Sequence, residues 1–174
     1  MGSTVRLRSR AAQALAVAMM TLSAAGLVTS AVDGGLLRLG APVLLFGLIG
    51  WAAFWQPYVE VSDGAVRIAN TLRTVEVPWP AIQAVDGRYG LRLETAFGPV
   101  NAWAAPAPAG RQRARGELGS TAAVVADRLE ALRVAGHLDD PRLERSAMPT
   151  TWHWPLIGTI AVLAVASGVL PTLG

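Results

Sequence analysis

Three stretches of this chain are apolar and almost free of charge, and they limit what it can fold into more than any other feature. Ala11 to Val32, "AAQALAVAMMTLSAAGLVTSAV", contains no ionisable side chain. At about 1.5 Å per residue, a helix of that length crosses a hydrocarbon core of about 30 Å. Leu36 to Trp55 is a second such run. Its one charge, Arg38, lies near the start, where a long side chain can reach the headgroups. "DGG" at 33–35 breaks the helix between them, and Trp51, Phe54 and Trp55 close the second run with an aromatic belt. A third run extends from about Pro155 to Leu170, with Trp152 and Trp154 at its entrance. The expectation is a transmembrane helical hairpin at 11–55 and a third span within 152–172. A cleaved leader ending at "TSA" (29–31) is the rival reading of the first run. That run is longer than a leader's apolar core of about 7–15 residues, and a second span follows at once.

Charge placement gives these spans a direction. All 15 basic residues are arginine, against 12 acids, for a net charge of +3. Arg6, Arg8 and Arg10 precede the first run, and Arg142 and Arg145 precede the third. The loop at 33–38 holds one Asp and one Arg, and no charged side chain follows Leu170. By the positive-inside rule, the basic N-terminus (1–10) and the region between the second and third spans are expected in the cytoplasm, with the C-terminus outside. The localisation expected is thus the inner membrane, multi-pass. The basic pI, near 10.5, is no sign of nucleic-acid binding. Between Pro57 and Thr150 eleven arginines face eleven acids, whereas phosphate binding needs a net basic face.

The insert alternates polar and apolar residues with period two. Val59 and Val61 share a face, as do Val66 and Ile68 after an Asp63-Gly64 turn, then Val75 and Val77. Pro78 and Pro80 interrupt pairing around Trp79. "AIQAV", "GRYGLRLETA" and "GPVNAW" supply further strands, with Leu91 and Leu93 inward, Arg92 and Glu94 outward, and turns at Gly90 and Gly98. After the loop "APAPAGRQRARGELG", Ser120 to Ala135 predicts a helix with Ser120 as N-cap, Gly136 at its stop and an apolar stripe of Ala122, Val125, Leu129 and Leu132. The fold class expected is a helical membrane anchor plus an α+β domain at 57–136. In that domain a small β-barrel or bent sheet is capped by the amphipathic helix, and a charged linker at 137–151 follows.

The segment from Trp55 to Trp103 resembles the bacterial PH-like domain of actinobacterial membrane proteins, of the low molecular weight antigen 6 type. The resemblance rests on a Trp-x-Pro entry after a transmembrane hairpin (Trp55, Pro57), "NTLRT" (Asn70 to Thr74), "VPWPAI" (Val77 to Ile82) and "GLRLET" (Gly90 to Thr95). It implies a PH-like barrel displayed at the membrane, in a family without an established activity. Phosphoinositide-binding PH domains carry basic residues around their first hairpin. Here that hairpin, "VEVSDGAVRI", sets Glu60 and Asp63 against Arg67, so no specific phosphoinositide is expected.

Nothing in the chain reads as catalytic. There is no cysteine or lysine, and the two histidines, His137 and His153, stand in no metal-binding spacing. "DGG" and "GRYG" lack the strand-to-helix setting of a phosphate loop. No enzyme activity, cofactor or metal is expected. Arg111, Arg113 and Arg115 are the one local basic concentration in the insert and the candidate contact to anionic lipid, at about 1 kcal/mol per arginine near a surface. Trp79, between two prolines, reads as core, and Trp103 is the candidate contact to a protein partner or a second copy. Ala24, Ala25 and Gly26 are small enough for close helix packing. The expected role is a non-enzymatic membrane-anchored module that binds or organises a protein partner. The alternative is a structural envelope protein acting through its spans.

Overall fold

The β-rich part is assembled from two separated pieces of chain, and one of them precedes the first apolar helix. A computed structural model describes residues 4–105, 107–108, 110, 115, 117–138 and 148–172. It divides into a β unit, Met1–Ser9 with Pro57–Thr151, and a helical unit, Arg10–Gln56 with Trp152–Gly174.

In the β unit, β1 (Val5–Leu7), β2 (Tyr58–Val61), β3 (Ala65–Ala69), β4 (Arg73–Pro78) and β8 (Thr150–Trp152) form a five-stranded sheet in the order β1-β2-β3-β4-β8. β5 (Ile82–Asp86), β6 (Leu91–Thr95) and β7 (Val100–Ala102) form an antiparallel three-stranded sheet. The change of sheet falls at a 3-10 turn, Trp79–Ala81, where Pro80 has no N–H to give a ladder. The expected alternation holds: Val59, Val61, Val66, Ile68, Val75, Val77, Leu91 and Leu93 are all buried. The expected barrel is not closed. Among the described residues no ladder joins the two sheets, which face each other across a shared core instead.

α3 (Ser120–Val134) covers that core with Ala122, Val125 and Leu129 buried and Leu132 packed beside them. Its N-cap is Gly119, and no side chain caps it, so Ser120 is the first helical residue and not the cap. Its C-terminus is a Schellman closure. Gly136 takes φ +68°, its N–H donates to Arg133 O at 3.0 Å, and His137 N–H donates to Leu132 O at 3.1 Å. Gly87 lets the helix approach, since a Cβ there would lie 2.7 Å from Ala122 Cβ. Arg128 pairs with Asp63 of the first hairpin, and Arg133 Nη2 donates to Gln83 O at 2.8 Å.

The helical unit holds α1 (Arg10–Val32), α2 (Leu36–Gly50) and α4 (Trp154–Val169). With their continuations, Arg10–Val32, Leu36–Trp55 and Trp154–Thr172 are long and apolar enough to cross a membrane. α1 buries Ala16, Ser23 and Ser30, spaced one heptad apart, and α2 meets α1 through Gly47 and Gly50. A Cβ on Gly50 would lie 2.7 Å from Met19 Cβ, and one on Gly47 would lie 2.8 Å from Ser23 Cβ. Ser23 Oγ donates to Val43 O at 2.8 Å across the seam. Ala24 and Ala25 are exposed and take no part in it, while Gly26 meets Val43. α2 ends in one wide π turn, Trp51–Trp55. There Gln56 follows, and its Nε2 donates to His153 Nδ1 at 2.9 Å, tying the end of the second apolar helix to the start of the third.

Candidate partner-binding surface

Three short segments of the β unit converge beside β7. The β5–β6 turn begins with an Asx-type contact, Arg88 N–H donating to Asp86 Oδ1 at 2.9 Å. It passes through Gly90, whose φ of +112° suits glycine alone and where a Cβ would lie 2.9 Å from Ala105 O. The β3–β4 turn supplies Asn70. Its Nδ2 donates to Asn101 O and its Oδ1 accepts from Trp103 N–H, both at 2.8 Å. One side-chain amide thus bonds both sheets where no backbone ladder does. It also holds the backbone that carries Trp103.

Trp103 is 67% exposed on that fixed backbone, and Tyr89 is 81% exposed in the neighbouring turn. A depression of about 440 Å³ lies on this sheet, lined by Asp86, Tyr89, Arg92, Glu94 and Asn101 among others. Arg92 Nε donates to Glu94 Oε1 at 2.6 Å, with both side chains nearly half exposed. A pair so exposed contributes little to stability, and with Asp86 also in the lining the depression carries a net negative charge. An exposed aromatic on a held backbone, beside hydrogen-bonding groups, is what a contact surface uses.

The other singled-out residues fall elsewhere. Trp79 is core, 2% exposed, with Nε1–H donating to Ser62 O at 2.9 Å. Arg115 is solvent-exposed, and its ion-pair partner among the described residues is Glu117, at 3.8 Å. Arg111 and Arg113 lie outside the described residues, as do Asp139, Asp140, Arg142, Glu144 and Arg145 of the expected linker. His137 closes α3 and His153 holds Gln56. Among the described residues no three of His, Cys, Asp or Glu gather as a metal-binding group. Asn70 was not legible as a staple from sequence. Its one signal was its place in a two-strand turn, where Asn side chains commonly bond backbone.

Open antiparallel sheets around one core, closed by a C-terminal helix, define a PH-like binding domain. Residues 56–148 match the bacterial PH domain family, and the chain, more than half of which that match covers, belongs to it. PH domains are typically non-enzymatic binding modules. No curated protein and no solved structure matches the chain.

Proposed function

We propose that this protein is a membrane-anchored PH module of the actinobacterial membrane type that binds or organises a protein partner at the cytoplasmic face. Its N-terminus and PH domain are inside and its C-terminus outside. The observation that carries the reading is the presence, in one chain, of a PH domain and three helices apolar enough to span a bilayer. Tethering raises the effective concentration of a partner on the same membrane to about the millimolar range, so a modest contact at Trp103 suffices. Capture with the PH unit alone and with the full chain tests it. A partner retained without the spans and released about 30-fold more readily by Trp103→Ala supports it, that being the loss of about 2 kcal/mol typical of a hot spot. Retention by the full chain alone sinks it. Orientation is read separately: alkaline phosphatase fused after Gly174 is expected to be active and fused at Gly116 silent, and the reverse pattern overturns the sidedness.

One observation favours the second reading, a structural protein acting through its spans with weak contact to anionic lipid at Arg111, Arg113 and Arg115. α4 buries no residue, and Ala161, Val162, Val165, Ala166, Val169 and Leu170 line an open apolar trough along it. Such a face accepts a neighbouring helix.

A further inference from the structure

The net charge of the chain resides in three side chains. Asp33 offsets Arg38, the 57–150 region is balanced, and Arg6, Arg8 and Arg10 account for the +3. Arg6 and Arg8 lie on and just after β1, the edge strand of the five-stranded sheet. The register sets up a row of alternating charge across that sheet: Arg6 opposite Glu60, Glu60 opposite Arg67, Arg67 opposite Glu76. Arg6 does not close the row with a salt bridge. Its guanidinium carbon lies instead 3.5 Å from the ring centre of Tyr58, and that of Arg8 lies 5.4 Å from the same centre. Arg8 Nε is enclosed and has no hydrogen-bond acceptor among the described residues.

Two guanidiniums over one ring, neither bridged to a carboxylate among the described residues, repel each other, and Arg8 Nε is left without an acceptor. A single anion would relieve both. The planar forks suit the oxygens of a phosphate, which they can grip in pairs, and the aromatic face holds the cations in place before the anion arrives.

We propose that Arg6, Arg8 and Tyr58 form a site for a phosphate group, occupied by the phosphodiester of an anionic phospholipid. Chain length supports the lipid as its source. Arg8 is two residues from Arg10, the first of α1, and Tyr58 is three after Trp55, the last of the second apolar segment. At no more than about 3.6 Å per residue, the backbone of Arg8 and of Tyr58 stays within about 11 Å of the helix end next to it in sequence, and that of Arg6 within about 14 Å of the start of α1. The headgroup layer occupies about 5–8 Å beyond each side of the hydrocarbon core. The proposal rests on the reading of these helices as spans. It needs no protein partner, and it places lipid recognition on β1 and not on the loop of Arg111, Arg113 and Arg115.

The test uses the full chain in detergent micelles, titrated with short-chain phosphatidylglycerol, the matching phosphatidylcholine and inorganic phosphate, with bound adducts counted by native mass spectrometry. The expected result is one phosphatidylglycerol bound in preference to phosphatidylcholine. Arg6→Gln/Arg8→Gln should weaken it about 25-fold, at about fivefold per arginine, while Arg67→Gln/Arg73→Gln, the same charge change on exposed strand positions, shifts it less than about twofold. Tyr58→Leu, which keeps both charges, should weaken it about two- to fivefold. Equal losses in the two double variants, or no loss with Tyr58→Leu, would mean that binding follows total charge, and the site would be overturned. Inorganic phosphate binding as tightly as phosphatidylglycerol would overturn the lipid as occupant. Release of the protein from membranes by alkaline carbonate would instead strike the span reading, and that wash is scored independently of lipid binding.

Discussion

The two units bury opposite kinds of residue. In the β unit the largest fully buried side chains are branched and aromatic, Val59, Val66, Ile68, Val77, Trp79, Leu93 and Val125, and the only buried polar residues among those described are Thr74, Thr95 and Thr121. In the helical unit the buried positions among the described residues are Ala16, Ser23, Ser30, Gly40, Ala41, Gly47, Gly50 and Ala52, while Leu15, Leu22, Val28, Leu37, Phe46, Val162 and Val165 are exposed. The inversion is what water around one unit and lipid around the other would select. In water, burying a large apolar side chain is worth about 1.5–3 kcal/mol, so large residues go inside. Lipid tails are as apolar as leucine, so nothing drives a large side chain inward there. Helices associate where small residues let backbones approach and hydroxyls bond across the seam.

The sharpest way to break the comparison is a charge in the wet unit's core. Leu129 is 3% exposed on the docked face of α3. Leu129→Asp is expected to abolish the cooperative melt of the β unit, since the carboxylate has no partner there, as read by circular dichroism of the full chain. An unchanged melt would mean that α3 does not hold the core. Next in size is Trp79→Ala, which removes the largest buried side chain together with its bond to Ser62 O. It is expected to cost about 3–5 kcal/mol in the denaturant midpoint of the β unit.

In the helical unit the expected sensitivity reverses, with small residues mattering and large ones not. Gly47→Leu drives a side chain into Ser23 and is expected to cost about 1–3 kcal/mol by overpacking. Gly158→Leu on α4, where a Cβ meets nothing within 4 Å, is expected to change nothing measurable in the same detergent melt. Between those two falls Ser23→Ala, which loses the bond to Val43 O and is expected to cost about 0.6 kcal/mol, the average for an interhelical bond in lipid. A cost of several kcal/mol there would mean that the seam is held by its hydroxyl and not by its packing.

Much of this was legible because two different periods are written plainly in the chain. Charge-free runs mark the three helices to within a residue or two, and period-two valines mark β2, β3 and β4 with their inward faces. The stripe on α3 was visible too. What escaped depends on partners far apart in sequence. β1 is three residues with one of two arginine neighbours between its valine and leucine, and only pairing with Tyr58–Val61 across an intervening helical hairpin makes it a strand. β8 escaped for the same reason, since nothing in "TTW" foretells β4 as its neighbour. The open barrel was hidden as well, because Asn70 substitutes for a ladder with a side chain, and no hydrophobic pattern records that. The seam residues Ser23 and Ser30 lie within a run where every face is apolar or small, so periodicity does not select them.

Because the chain has no cysteine, single introduced thiols can test the inversion directly. Leu22, near the middle of α1, is 65% exposed, and Tyr89, on the β unit, is 81% exposed. If the helical unit is built for lipid, Leu22→Cys in native membranes stays unreactive toward a water-soluble maleimide until the membrane is dissolved and the chain unfolded. Tyr89→Cys, in membrane sheets open to reagent on both faces but with the bilayer intact, reacts at once. Equal labelling of the two positions in intact bilayers would contradict the account, because it would place the large exposed side chains of α1 in water.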